Sequence, residues 1–168
     1  MAEDVAKLAA ALSDSDLAHR RSAAERLAQL GEEARAAAVP LVRLAGDEDE
    51  TAREWAVAAL EALGPPSAED AGALIALLDS PQADVGYWAA TLLGRLGPQA
   101  AGATGALARV LAGSRHMAVR QRAAWALGQI GPGAKGGLEA LRMAADSEDP
   151  RLARLARQAI TKIEGEGS

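Results

Sequence analysis

The sequence contains no cysteine and no phenylalanine, and its only aromatic residues are three Trp and one Tyr among 168 residues. The absence of cysteine excludes disulfides, thiolate metal sites and cysteine nucleophiles, and it gives no sign of an oxidising compartment. Residues that favour strands are scarce, whereas Ala and Leu dominate. The composition therefore predicts an all-α protein.

Long apolar runs and a basic balance are also missing. No stretch approaches the roughly 20 apolar residues that a membrane-spanning helix needs. The acidic start MAEDVAKLAAALSDSD lacks the basic region of a signal peptide. The formal net charge of −5 argues against a general nucleic-acid binder. These absences predict a soluble, cytoplasmic protein without a membrane partner.

The chain repeats itself with a period of 33 or 34 residues. A Leu or Ile marker, usually followed by Gly, recurs at Leu30, Leu63, Leu96, Ile130 and Ile163. An alanine stands seven residues before every marker, at Ala23, Ala56, Ala89, Ala123 and Ala156. Each period holds two helix-length segments with apolar residues at helical spacing. We expect first helices at 3–12, 35–45, 68–78, 101–112 and 135–145, and second helices at 17–30, 50–63, 83–96, 117–130 and 150–163.

A repeated helix pair cannot bury its apolar face alone, so it stacks on its neighbours. The repeat therefore predicts one α-solenoid over residues 1–163, followed by a flexible tail at 164–168. The repeats are expected at about 1–31, 32–64, 65–97, 98–131 and 132–163.

Two of the second segments carry a family resemblance. TAREWAVAALEALG at 51–64 and VRQRAAWALGQIG at 119–131 resemble HEAT repeats, of the short kind also found in phycobilisome lyases. The resemblance covers about 1–163 in five repeats. It implies a scaffold or binding module whose second helices line a concave groove. It also implies a ladder of Arg20, Arg53 and Arg120, ten residues before their markers, with loop acids such as Asp14, Asp47 and Asp49.

The aromatic residues share one side of the second helices. At about 100° per residue, positions one, five, eight, nine and twelve before a marker lie opposite the repeated alanine. Every aromatic residue occupies such a position, so none is expected in the core. The predicted groove residues are Trp55, Tyr87, Trp88 and Trp125, with Glu54, Thr91, Arg95, Arg122 and Gln129 on the same face.

Exposed rings flanked by arginines are typical of a binding surface. Such a groove favours an extended peptide with acidic and apolar residues. The alternative is that the rings only pack on one another. Self-association through the groove also stays open.

Residues for catalysis are not apparent. His19 and His116 lie on different repeats without a metal-ligand pattern. The segment GPGAKGG at 131–137 does not match a phosphate-binding loop and predicts a loose helix start. We therefore predict a non-enzymatic, protein- or peptide-binding scaffold with no catalytic residue, metal or cofactor. Two alternatives remain: a HEAT-like DNA glycosylase or other nucleic-acid-binding module that uses the aromatic cleft, and a bilin-lyase-like subunit.

Overall fold

In a computed structural model, which describes residues 2–165, all regular secondary structure of those residues is helical. In chain order the helices are α1 (Ala2–Ala11), α2 (Leu17–Leu30), α3 (Ala38–Leu44), α4 (Glu50–Ala62), α5 (Ala71–Leu77), α6 (Ala83–Leu96), α7 (Thr104–Gly113), α8 (Met117–Ile130), α9 (Leu138–Ala145) and α10 (Pro150–Glu164). Odd-numbered helices are the first and even-numbered helices the second of each repeat. The predicted all-α solenoid of helix-pair repeats is confirmed.

Every second helix is preceded by the same hydrogen-bonded turn. The Asp14 carboxylate accepts the backbone N–H of Asp16 at 2.8 Å, and the Asp47 carboxylate accepts that of Asp49 at 2.9 Å. The equivalent bonds in the later repeats run to Ser80 from Gln82, to Ser114 from His116 and to Ser147 from Asp149. Short polar side chains favour such turns because they satisfy a backbone donor locally.

Every second helix is also closed by a glycine with positive φ. Gly31, Gly64, Gly97 and Gly131 have φ values of 58°, 76°, 61° and 77°. In the last repeat, where Glu164 replaces the usual glycine, the positive φ moves one residue on, to Gly165. Residues without a Cβ reach this region at no steric cost, which explains why the second helices end where the sequence predicts.

The first helices start differently from the prediction. Three of them begin with a 3₁₀ segment, at Gly31–Ala37, Gly97–Ala103 and Gly131–Gly137, and a short one precedes α5 at Ala68–Asp70. In two segments a proline follows the closing glycine, and Ala100 and Ala134 leave helical φ/ψ angles. Proline fixes the chain direction there and removes a donor, so the α-helix starts about one turn later. The loose helix start expected at 131–137 is confirmed.

The described chain falls into two compact units, divided between Asp70 and Ala71. In the first unit α2 packs on α4, and in the second unit α8 packs between α6 and α10. The alanine seven residues before each marker is at most 3% exposed in every repeat, which confirms the predicted buried face. A single domain over 1–163 stays a prediction. Glu164, assigned to the tail by sequence, ends α10, and residues 166–168 lie outside the described residues.

Candidate functional site

The second helices of the second unit approach closely because glycines line their contacts. A Cβ built on Gly94 of α6 would lie within 2.9 Å of Cε3 and Cη2 of Trp125, and closer still to Cζ3. A Cβ built on Gly128 of α8 would lie 3.0 Å from Cα of Ala159 on α10. Contacts this short would force neighbouring atoms to move. The Trp125 ring can therefore pack directly on the backbone of Gly94 because this residue has no side chain.

Arg122 contacts two aromatic rings. Its guanidinium carbon is 4.7 Å from the ring centre of Tyr87 and 4.8 Å from that of Trp125. Its Nη2 donates a hydrogen bond to the Tyr87 hydroxyl. Both distances are within the range of a cation–π interaction, which is stronger when the cation is shielded from water. These contacts fix the plane and the position of the guanidinium.

Trp88 is buried, and this corrects the prediction that no aromatic residue lies in the core. Only 7% of Trp88 is exposed. The ring centres of Tyr87 and Trp88 are 5.6 Å apart with an angle of 84° between the ring planes, and the Arg95 guanidinium carbon lies 5.6 Å from the Trp88 ring centre. A helical wheel gives the direction of a Cα–Cβ bond, whereas a long ring can fold back along the surface. Trp88 therefore contributes to packing.

Thr91 is also buried rather than groove-lining. Its side chain is shielded and its hydroxyl donates to the carbonyl of Tyr87 at 2.8 Å, one helical turn back. This bond satisfies the hydroxyl inside the helix.

The predicted alternative, in which the rings pack on one another, is partly realised by the contact between Tyr87 and Trp88. We call Tyr87, Trp88, Arg95, Arg122 and Trp125 the aromatic–arginine cluster. All but Trp88 are half-exposed, and Arg122 of α8 contacts Tyr87 of α6 and Trp125.

A surface pocket of about 240 Å³ adjoins the cluster. Its lining residues are Tyr87, Ala118, Gln121, Arg122, Trp125, Arg151 and Leu155. The lining residues include two arginines and no acidic residue, and Trp125, Ala118 and Leu155 add apolar groups. The arrangement can accept an anionic group that is attached to an apolar one.

Asp149 connects a pocket residue to the start of α10. Its carboxylate accepts the Leu152 N–H at 2.6 Å, which caps α10, and accepts the Gln121 side-chain amide at 3.0 Å. The bond from Leu152 is the main cause that lowers the pKa of Asp149, so the group is charged at neutral pH. The pocket residue Gln121 is thereby tied to the start of α10.

Other predicted site residues are placed separately. Trp55, half-buried, and Glu54, exposed, lie on α4 in the first unit. Gln129 is half-buried in the last turn of α8. Their roles stay predictions. Arg151 and Gln121 were missed as site residues, although both stand at outward positions of the same periodicity.

Three arginines of the first unit bind acidic side chains or backbone carbonyls of the same unit. Arg20 pairs with Asp47 at 2.9 Å, as expected, but Arg53 donates to the carbonyls of Asp47 and Glu48 instead of to carboxylates. Arg21, which stands nine residues before the marker Leu30 and so at an outward position, pairs with Asp49 through two hydrogen bonds. This pairing lowers the pKa of Asp49 to about 2.

In the second unit, Arg120 donates to the carbonyl of Leu111 at 2.8 Å. The expected pairing with an acidic side chain is therefore present for Arg20 and Asp47, whereas Arg53 and Arg120 donate to backbone oxygens. Within residues 2–165, His, Asp and Glu side chains form no group of three that could hold a metal ion. None of the helices in that range is long and apolar enough to cross a membrane.

Comparison with known proteins identifies one family and several solved structures with a similar fold. A family model described as HEAT repeats matches residues 5–85 and 71–161. No curated protein matches the sequence. An engineered protein of known structure is similar at 24% identity and a TM-score of 0.66, over 95% of this chain and 79% of that chain.

Two designed armadillo repeat proteins are similar at the same level. One, in complex with the peptide (KR)4, is 22% identical with a TM-score of 0.69, over 98% of this chain and 83% of that chain. The other, described as computationally designed for modular peptide recognition, is 22% identical with a TM-score of 0.64, over 95% and 82% of the two chains. At this identity these similarities concern the fold alone.

Proposed function

The chain belongs to the HEAT-repeat family, and from this premise we propose that it is a non-enzymatic scaffold that binds a protein or peptide on the outward side of its second helices. The observation that carries the proposal is the half-exposed part of the aromatic–arginine cluster. Tyr87, Arg122 and Trp125 are held by one another before any partner arrives.

Preorganisation matters because a partner then meets groups whose side-chain entropy is already lost. Trp, Tyr and Arg are the residue types that dominate interface hot spots. Trp125 offers an apolar ring, and Arg122 offers a fixed guanidinium beside it.

The fold supports the same proposal. The designed armadillo protein in complex with (KR)4 holds a peptide on a similar repeat fold. Its peptide is basic, whereas the pocket beside Trp125 in this chain is lined by Arg122 and Arg151. We therefore propose that the partner here presents acidic and apolar residues. Trp55 and Glu54 of the first unit are proposed as further contacts with a partner. We also propose that the protein acts in the cytoplasm.

Selection from a random peptide library displayed on phage tests this function without knowledge of the source. Wild-type protein should enrich a family of related peptides. The substitutions Trp125→Ala and Arg122→Gln should each weaken binding of the enriched peptides, because they remove the apolar ring and the fixed cation. The matched control is Met143→Ala, which removes an apolar side chain that is 72% exposed on α9.

Circular dichroism must show that all three variants remain helical. If no related peptides are enriched, or if they bind the Trp125 and Arg122 variants as tightly as wild type, the proposed site is wrong. Methylated DNA duplexes and a free tetrapyrrole then test the two alternative functions. Tight, Trp125-dependent binding of either ligand would favour the corresponding alternative.

A further inference from the structure

Positive charge is concentrated on two neighbouring helices of the second unit. The outward positions of α8 and α10 hold four basic residues, Arg122, Arg151, Arg154 and Lys162, and no acidic residue. The remaining outward positions are Ala118, Gln121, Trp125, Gln129, Leu155 and Gln158. On a chain whose net charge is −5, this α8–α10 face is the basic exception.

We propose that the pocket on this face is a carboxylate subsite for an Asp or Glu side chain of an extended peptide. The carboxylate enters between Arg122 and Arg151, and a neighbouring apolar residue of the peptide lies against Trp125 and Leu155. This inference rests on the proposed peptide-binding function. It adds the chemistry of the ligand and assigns a role to Arg151.

The fixed orientation of Arg122 favours a planar, charged acceptor. The guanidinium carbon of Arg122 lies 4.7 Å from the ring centre of Tyr87 and 4.8 Å from that of Trp125, so these rings restrict its position. Its N–H groups point outward in the plane of the guanidinium. The bond to Tyr87 occupies one of five donors. An in-plane approach to a guanidinium is the geometry of a bidentate carboxylate contact.

The position of Arg151 points the same way. It lies in the first turn of α10, directly after Pro150, and its side chain is exposed. A positive charge in the first turn opposes the helix macrodipole, so this residue does not stabilise α10 by that route. Its charge is one of the causes that lower the pKa of Asp149, and its exposed guanidinium also lines the pocket, where it can meet an anionic ligand.

Nuclear magnetic resonance of the indole N–H groups tests the subsite, because the three Trp residues give three separate signals. The probe is the peptide acetyl-Gly-Glu-Leu-Glu-Gly-amide, whose blocked ends leave only side-chain carboxylates. The matched probe replaces both Glu by Gln. The signal of Trp125, assigned by its loss in Trp125→Phe, should shift saturably with the Glu peptide and stay in place with the Gln peptide.

Two variants that remove the same charge distinguish a specific contact in the pocket from general electrostatic attraction of the peptide. Arg151→Gln should weaken the Glu peptide by about tenfold, as expected for a hydrogen bond to a charged group. Arg157→Gln removes the same charge from the same helix. Arg157 does not line the pocket and donates to the carbonyl of Ala145 at 2.8 Å. This variant should bind almost as wild type does.

Three results would overturn the subsite. The first is that the Gln peptide binds as tightly as the Glu peptide, and the second is that Arg151→Gln and Arg157→Gln lose equal affinity. The third is tight binding of a Gln peptide with a free C-terminal carboxylate, which would assign the pocket to a chain terminus. In each of these the peptide-binding function stands if library peptides still require Trp125. If the Glu peptide moves no indole signal and library selection also fails, both proposals are wrong.

Discussion

The indole of Trp125 on α8 rests on the backbone of Gly94 on α6. Any side chain at position 94 would displace the ring, because a Cβ there would lie within 2.9 Å of three of its carbons. Gly94 thus determines where Trp125 lies, and Trp125 with Tyr87 determines where Arg122 lies. A glycine that contacts no ligand in this scheme positions the residues that do.

The substitution Gly94→Ala should therefore destabilise the fold and displace the ring. We expect a loss of about 1–3 kcal/mol in the free energy of unfolding, as for other overpacked contacts. The measurement is urea denaturation followed by circular dichroism, with Trp fluorescence as a second readout for the displaced indole.

Gly105→Ala is the matched control for this change. Gly105 lies inside α7, and a Cβ there meets nothing within 4 Å. Alanine in an open helical position should stabilise the protein by up to about 1 kcal/mol, because it restricts the unfolded chain. Equal effects of the two substitutions, or a stable Gly94→Ala variant with unchanged fluorescence, would contradict the assigned seat of Trp125.

The second helices could be predicted from sequence almost to the residue. The expected 17–30 and 117–130 are the observed bounds of α2 and α8. Polar turn residues start these helices and a glycine with positive φ ends them, so both ends carry local signals. The first helices lack such signals at their starts, and their 3₁₀ segments depend on the path of the chain after the closing glycine.

The candidate site was predicted less well than the fold, and Trp88 shows why. Periodicity placed Trp88 opposite the core, but its ring lies under Arg95 and beside Tyr87 and is 7% exposed. Where a large side chain comes to rest depends on neighbours from other helices, which a single-helix pattern does not contain. The contact between Trp125 and Gly94 could not be predicted from the sequence for the same reason, because the two residues lie on different helices.

Alanines of the buried face should not tolerate leucine. Ala89 and Ala123 are fully buried, so Ala89→Leu and Ala123→Leu should each destabilise the protein by about 1–3 kcal/mol through overpacking. Thermal melting by circular dichroism measures this. Ala112→Leu, at an exposed position near the end of α7, is the control and should change little. Unchanged melting of both core variants would show that the buried face is assigned wrongly.

Acid sensitivity should depend on the pair of Arg21 and Asp49. The bond from Arg21 is the first cause that holds the pKa of Asp49 at about 2, below its ordinary value of 3.8. A carboxyl group whose pKa is lower in the folded state stabilises that state above the unfolded pKa. This stability is lost as the pH falls from about 4 to about 2.

The measurement is the free energy of unfolding as a function of pH, for wild type and for Asp49→Asn. Asparagine keeps the ability to cap α4 but does not titrate, so the variant should show a shallower loss of stability in that window. Arg21→Gln should flatten the curve in the same way, since it removes the charge that lowers the pKa. If all three curves run parallel, the ion pair does not contribute to acid stability.

The planar shape of Arg122 should matter more than its charge. Arg122→Lys keeps the positive charge but cannot present a flat guanidinium to Tyr87 and Trp125 at the same time. We expect it to lower the free energy of unfolding by about 1 kcal/mol. It should also change the fluorescence of Trp125, because the cation no longer lies over the indole.

Tyr87→Phe separates the ring from its hydroxyl group. It keeps the ring that lies near the Arg122 guanidinium and removes the acceptor of the Nη2 hydrogen bond. The expected loss is about 0.5–1.5 kcal/mol. Because the two substitutions act on one interaction, the double variant should lose less than the sum of the single losses. Strict additivity in urea denaturation would show that Tyr87 and Arg122 do not act together, and it would remove the argument that the guanidinium is held in place for a partner.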